Sequence, residues 1–154
     1  NTHNVVVGET KLFKADNFDF ITPGLLRDDF GKDLWGERML CGLEKIKTPY
    51  VFTMLIDYYF VHDITQDFIE EQIEFLELNN GNKVMIDVHT PRAYIFETSV
   101  HPYYKFDKYS DYQTSLMPAI WKTDWLKSVI KSEDTPWTFE VDGTARMVRI
   151  IRFI

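Results

Sequence analysis

Blocks of apolar residues with different periods divide this chain into strands and helices. Val5-Val6-Val7 followed by Gly8 reads as a short buried strand and its turn. A polar stretch containing Gly and Asp then runs to about residue 32. From Asp33, the positions Leu34, Met39, Leu40, Leu43 and Ile46 predict an amphipathic helix, which Thr48-Pro49 should end because the residue before a proline is pushed out of helical conformation. Tyr50 to Ile56 is an apolar run of strand length ending at Asp57. The segment from Ile64 to Leu78 carries Phe68, Ile69, Ile73, Phe75, Leu76 and Leu78 among acids, a second amphipathic helix stopped by Asn79-Asn80-Gly81. Lys83 to Val88 predicts another strand.

Residues 90 to 114 have little period and many tyrosines, so short strands or a long surface excursion are expected there. Thr123 is placed to cap a helix over Asp124 to Lys131. Thr135-Pro136 matches an N-cap with proline at the first helical position, which puts Glu140 in the first turns of a last helix. Gly143 weakens the middle of that helix, and Met147 to Ile154 reads as a strand or tail. No internal repeat or low-complexity linker is present. The alternation of helix and strand predicts one α/β domain over residues 1–154, with a mixed, mainly parallel sheet covered by helices on both faces.

Composition narrows the function classes. A chain of 154 residues can bury about two thirds of its unfolded surface as one domain. The single cysteine, Cys41, excludes an internal disulfide and a cysteine-based metal cluster, which makes a cytoplasmic setting the expectation. No apolar run reaches the roughly 18 residues of a membrane span. With 17 Lys and Arg against 24 Asp and Glu, the formal charge of −7 argues against a nucleic-acid binder and leaves room for a small anionic ligand held by local arginines. Aromatics at 16% supply rings that stack on sugars and bases as well as fill cores.

An unpaired charge is not tolerated at the centre of a buried strand, so Asp57 is expected at the strand's carboxyl end, where open α/β sheets form their ligand crevice. Its plain alternative is a turn cap. The chain has no GxGxxG, P-loop or GxSxG motif, and His3, His62, His89 and His101 show no zinc-ligand spacing. Asp87 and His89 would share a strand face, as a polar edge pair or as ligands for substrate or metal.

Four segments together resemble a known family. Trp35-Gly-Glu-Arg38 is followed by Thr48-Pro-Tyr-Val-Phe-Thr-Met-Leu-Ile-Asp-Tyr-Tyr-Phe60, then Ser115-Leu-Met-Pro-Ala-Ile-Trp121 and Pro136-Trp-Thr-Phe-Glu140. Between Asp33 and Arg146 this order resembles the WxxR, YVLxLLDDFF, PAIW and PWxFE segments of bacterial and phage glycosyltransferases with the GT-A fold, a Rossmann-like α/β architecture. The resemblance implies transfer of a sugar from a nucleotide-diphosphate donor to a glycan hydroxyl, with inversion. Asp57 then stands at the first position of the acidic donor and metal site, and Tyr58 at the second. A phenol is a poorer ligand for a hard cation than a carboxylate, so Tyr58 weakens the Mn²⁺ or Mg²⁺ site implied by the family.

The resemblance also makes Glu140 the catalytic base, Arg38 a diphosphate contact, and Trp35, Tyr58, Trp121 and Trp137 substrate-binding residues, with one of Trp121 and Trp137 expected in the core. Glu140 is equally a residue favoured by the helix dipole, and Arg38 equally a salt-bridge partner of Glu37 or Asp33. Glu133-Asp134 is a competing acidic pair that reads as a solvated turn unless it points inward, while Arg146 and Arg149 point to donor phosphate or to a solvated helix face. GT-A domains open with a strand and loop for the nucleotide base, and little precedes Val5, which leaves three readings: an N-terminally truncated chain, an unusually small version of the fold, or one that has surrendered catalysis. Two other classes remain open. One is a non-catalytic nucleotide-sugar or glycan-binding module. The other is a glycoside hydrolase with Asp57 and Glu140 about 5 to 9.5 Å apart.

Overall fold

The computed structural model describes residues 4–10, 16–30, 33–86, 93–96, 103–106 and 109–151. Strands β1 (Val5–Val7) and β2 (Asp19–Ile21) pair in parallel and precede a short helix, α1 (Arg27–Phe30). Helix α2 (Trp35–Lys45) leads into β3 (Tyr50–Thr53), α3 (Gln66–Leu78) into β4 (Lys83–Met85). β5 (Ala93–Phe96) and β6 (Tyr103–Phe106) form an antiparallel pair, and β7 (Ala119–Lys122) runs into α4 (Thr123–Val129). The chain then forms one continuous helical stretch: α5 (Pro136–Thr138), a π-helical turn (Phe139–Gly143) and α6 (Thr144–Ile151).

The central sheet corrects the mainly parallel arrangement expected from the sequence. β7 enters between β3 and β4 and is antiparallel to both. β3 and β4 do run the same way, joined across α3 as a crossover unit, but they are not neighbours. The strand that separates them, Ala119–Lys122, lies in a segment where no element was expected. Helices do cover both faces. In-register residues share a face, so Val51, Thr53, Lys83, Met85, Ala119 and Trp121 lie together and Tyr50, Phe52, Val84 and Ile120 lie opposite. The first face joins Trp35, Leu43, Leu126, Val129, Phe139 and Met147 in the main core; the second packs on Leu76, Ile69 and Ile73 of α3.

Local chemistry accounts for the joints. Thr65 caps α3 by accepting the Phe68 N–H, and Asn80 takes a left-handed φ of 49° where the helix stops. Thr123 is not the cap of α4. Its hydroxyl donates to the Thr48 carbonyl at 2.8 Å, and its N–H donates to Pro49, which ties the end of α2 to the start of α4. Thr135 and Thr138 form a reciprocal capping box with Pro136 in the first turn, as the sequence predicts. Residues 147 to 151 continue the helix rather than forming a strand or tail. Among the described residues, no helix is long and apolar enough to cross a membrane.

Candidate functional site

Register fixes which loops meet. Thr53, Ala119 and Met85 are paired at one end of the sheet, so the chain leaving β3, the chain leaving β4 and the segment entering β7 gather there. The first of these carries Asp57. β3 stops earlier than expected, at Thr53, and Asp57 sits in a turn closed by the Tyr58 N–H donating to the Leu55 carbonyl at 3.2 Å. Its carboxylate is exposed and makes no hydrogen bond or ion pair with another described residue. Apolar groups surround it in sequence: Ile56, Tyr59 and Val61 are exposed, and Phe60 packs on Phe52 with ring centroids 5.9 Å apart.

Residues 109 to 118 form a strap into β7, and Glu140 is attached to it. The Leu116 N–H donates to Glu140 Oε1 at 2.7 Å. Glu140 is presented by the π-helical turn, and two buried threonines satisfy the carbonyls that such a turn displaces. The Thr114 hydroxyl lies 2.8 Å from the Phe139 carbonyl and 3.0 Å from that of Glu140, sharing one proton between them. The Thr144 hydroxyl donates to the Glu140 carbonyl at 2.7 Å and accepts from the Thr114 N–H. Single π turns inside helices are frequent at functional sites. Gly143 therefore has a packing role: a Cβ there would stand 2.8 Å from Thr114 Oγ1. Tyr112 in the strap holds a left-handed φ of 57°, uncommon for a bulky residue.

Beneath the strap lies Lys83, a residue absent from the sequence-based candidates. Its ammonium donates to the Ser115 carbonyl at 2.7 Å and to the Gln113 carbonyl at 3.1 Å, and it sits 4.3 Å from the centroid of the Trp121 ring. Burial drives the lysine's pKa down to about 7, against the pull of Glu140 toward the charged form. A signal was available, since a period of two places Lys83 on the same face as buried Met85.

Several expected substrate contacts are part of the protein interior. Trp121, 1% exposed, donates from Nε1 to Thr53 Oγ1 and stacks on Trp125; Trp35 packs on Phe139 at 5.4 Å. Neither indole is exposed. Trp137, three residues before Glu140, is 73% exposed. Arg38 is buried and engaged by Asp33 at 2.7 Å, Glu9 at 3.3 Å and the Leu25 carbonyl, so its guanidinium is spent on structure. Gly36 serves the same joint: its N–H donates to the Asp134 carbonyl, and a Cβ would fall 2.0 Å from the Lys131 carbonyl oxygen.

Asp134 points inward and pairs with Arg146, which also donates to the Val129 carbonyl; Glu133 stays exposed. Asp134 and Arg146 are thus engaged with each other inside the protein. Asp87, His89 and the Arg149 side chain lie outside the described residues. Tyr58 is half-buried in the Asp57 turn.

A hard cation asks for about six oxygen ligands. Among the described residues no three His, Cys, Asp or Glu side chains gather around one point, and Asp57 brings one carboxylate. These residues do not make a cation site unaided. No family model, curated protein or solved structure matches the chain.

Proposed function

We propose that this α/β domain is a GT-A-like glycosyltransferase that moves a sugar from a nucleotide diphosphate to a glycan hydroxyl. The observations that support it are an exposed Asp57 on the chain leaving β3 and a Glu140 anchored to the segment entering β7, two segments that meet the sheet at its Thr53–Ala119–Met85 end. Glu140 is held by one oxygen on the Leu116 N–H, and among the described residues Oε2 makes no hydrogen bond. That is the posture of a general base with a fixed direction.

In this reading the acceptor hydroxyl attacks the anomeric carbon while Glu140 takes its proton. The bond from that carbon to the diphosphate oxygen breaks with its electron pair on the departing diphosphate, and the configuration inverts. Asp57 orients the donor, and exposed Trp137 offers its face to the acceptor sugar. Were a Mn²⁺ or Mg²⁺ ion to take part, Asp57 would be the carboxylate to hold it, and its charge would offset that developing on the diphosphate.

Calorimetric titration with UDP and GDP, each with and without Mn²⁺, tests the donor site. Binding that weakens at least about tenfold in Asp57→Ala, the loss of one charge-assisted contact, supports the reading. A folded protein that binds neither nucleotide contradicts it. Binding without transfer to any acceptor marks a binding module instead. Release of sugar from a glycan without nucleotide marks a hydrolase.

A further inference from the structure

The Lys83 ammonium is buried, yet among the described residues it is spent on two backbone carbonyls rather than on a carboxylate in direct contact. Those carbonyls belong to Gln113 and Ser115, and the next amide along, that of Leu116, is the donor to Glu140 Oε1. Two links thus join Lys83 to the carboxylate: ammonium to strap, and strap to Glu140. We infer that Lys83 is a positioning residue that fixes the 113–116 strap so that the Leu116 N–H aims Glu140 Oε1. The consequence for transfer rests on the glycosyltransferase reading; the mechanical link does not.

Three further observations support it. The Trp121 ring, itself locked by Thr53, forms a floor 4.3 Å under the ammonium and favours its charged form. Thr114, between the two carbonyls that Lys83 holds, anchors the same strap to the π turn, so a shift of the strap changes the setting of Glu140. The lysine titrates near 7, so the strap experiences both charge states within an ordinary pH range. Among the described residues Glu140 is the titratable group acting on the ammonium; β7 contributes the Trp121 face and the strap contributes the carbonyls. A neutral amine still donates to both carbonyls, and a strap that opens returns the amine to water and to its ordinary pKa of 10.5, so raising the pH favours the closed strap.

Amide hydrogen exchange on ¹⁵N-labelled protein reads the link without reference to any substrate. At pH 6 the protection factor of the Leu116 amide should fall about tenfold in Lys83→Met, the equivalent of one charge-assisted hydrogen bond. Lys83→Arg, which stays charged, should keep it within about threefold of wild type. In the wild type the same protection should rise between pH 6 and pH 8.5, and in Lys83→Arg it should not. Equal Leu116 protection in wild type and a folded Lys83→Met overturns the proposal, as does wild-type protection that ignores pH. If Lys83→Met does not fold, the wild type and Lys83→Arg pH series decide alone.

The transfer rate supplies a readout that a purely structural lysine would not move. Wild-type turnover should rise through about pH 7 with one titrating group, while Lys83→Arg should lack that rise. A rise that persists in Lys83→Arg counts against the positioning role. Amide protection that behaves as stated in a protein transferring no sugar sinks the functional reading and leaves the Lys83 link standing.

Discussion

Replacing Lys83 by Met should flatten the pH dependence of stability above neutrality. The unfolded chain holds the Lys83 proton up to about 10.5, whereas the folded protein holds it only up to about 7. Between those values the unfolded state binds more protons, so stability rises with pH. One pKa unit corresponds to about 1.36 kcal/mol, so the whole window spans about 5 kcal/mol, and the interval from pH 7.5 to 9.5 accounts for about 2 kcal/mol. Tyr50 is held protonated above its usual range by burial and by Glu77, which acts in the opposite sense near pH 10; the upper limit of 9.5 keeps that effect small. Urea denaturation at both pH values gives the two stabilities directly. The wild type should gain about 2 kcal/mol over this interval relative to Lys83→Met. The same rise in both proteins would refute the assignment of a buried, proton-shedding amine to Lys83.

Gly36→Ala forces a methyl group against the Lys131 carbonyl and should cost about 3 kcal/mol by urea denaturation, with Glu37→Ala as a nearby control of small effect. Arg146→Met leaves the Asp134 carboxylate buried without its cation and should cost about 3 to 5 kcal/mol, much of it recovered by adding Asp134→Asn. Thr114→Val strips a hydroxyl from the Phe139 and Glu140 carbonyls and should cost about 1 to 3 kcal/mol, with a larger loss of transfer activity than the stability change alone explains.

Much of the element order was legible because periodicity and stop signals agree with the packing. The amphipathic pattern from Leu34 to Ile46 lies on α2, the Asn79-Asn80-Gly81 stop ends α3, and the Thr135-Pro136 signal opens the last helical stretch. The sheet direction was not legible. Ala119–Lys122 is short and apolar, and only long-range pairing reveals that it separates β3 from β4.

The site was legible in part for the same reason. Asp57 and Glu140 declare themselves as carboxylates beside aromatic segments, but sequence alone does not tell whether an arginine or tryptophan faces a ligand or the core. Arg38, Trp35 and Trp121 went inward because α2 is pressed against the 131–134 loop through Gly36 and because Trp121 occupies the sheet's central strand. Lys83 was missed because a lysine opening a strand ordinarily snorkels to water. Here the strap closes over it.

The most direct test of the account separates binding from chemistry at Glu140. Nucleoside diphosphate release from a panel of UDP- and GDP-sugars, with sugar acceptors present, should be measured for wild type and Glu140→Gln after each has been shown to bind donor. The account predicts equal donor binding and a loss of turnover of about 10²- to 10⁴-fold in the variant, the ordinary contribution of a positioned base. Turnover that survives Glu140→Gln within a few-fold would contradict it.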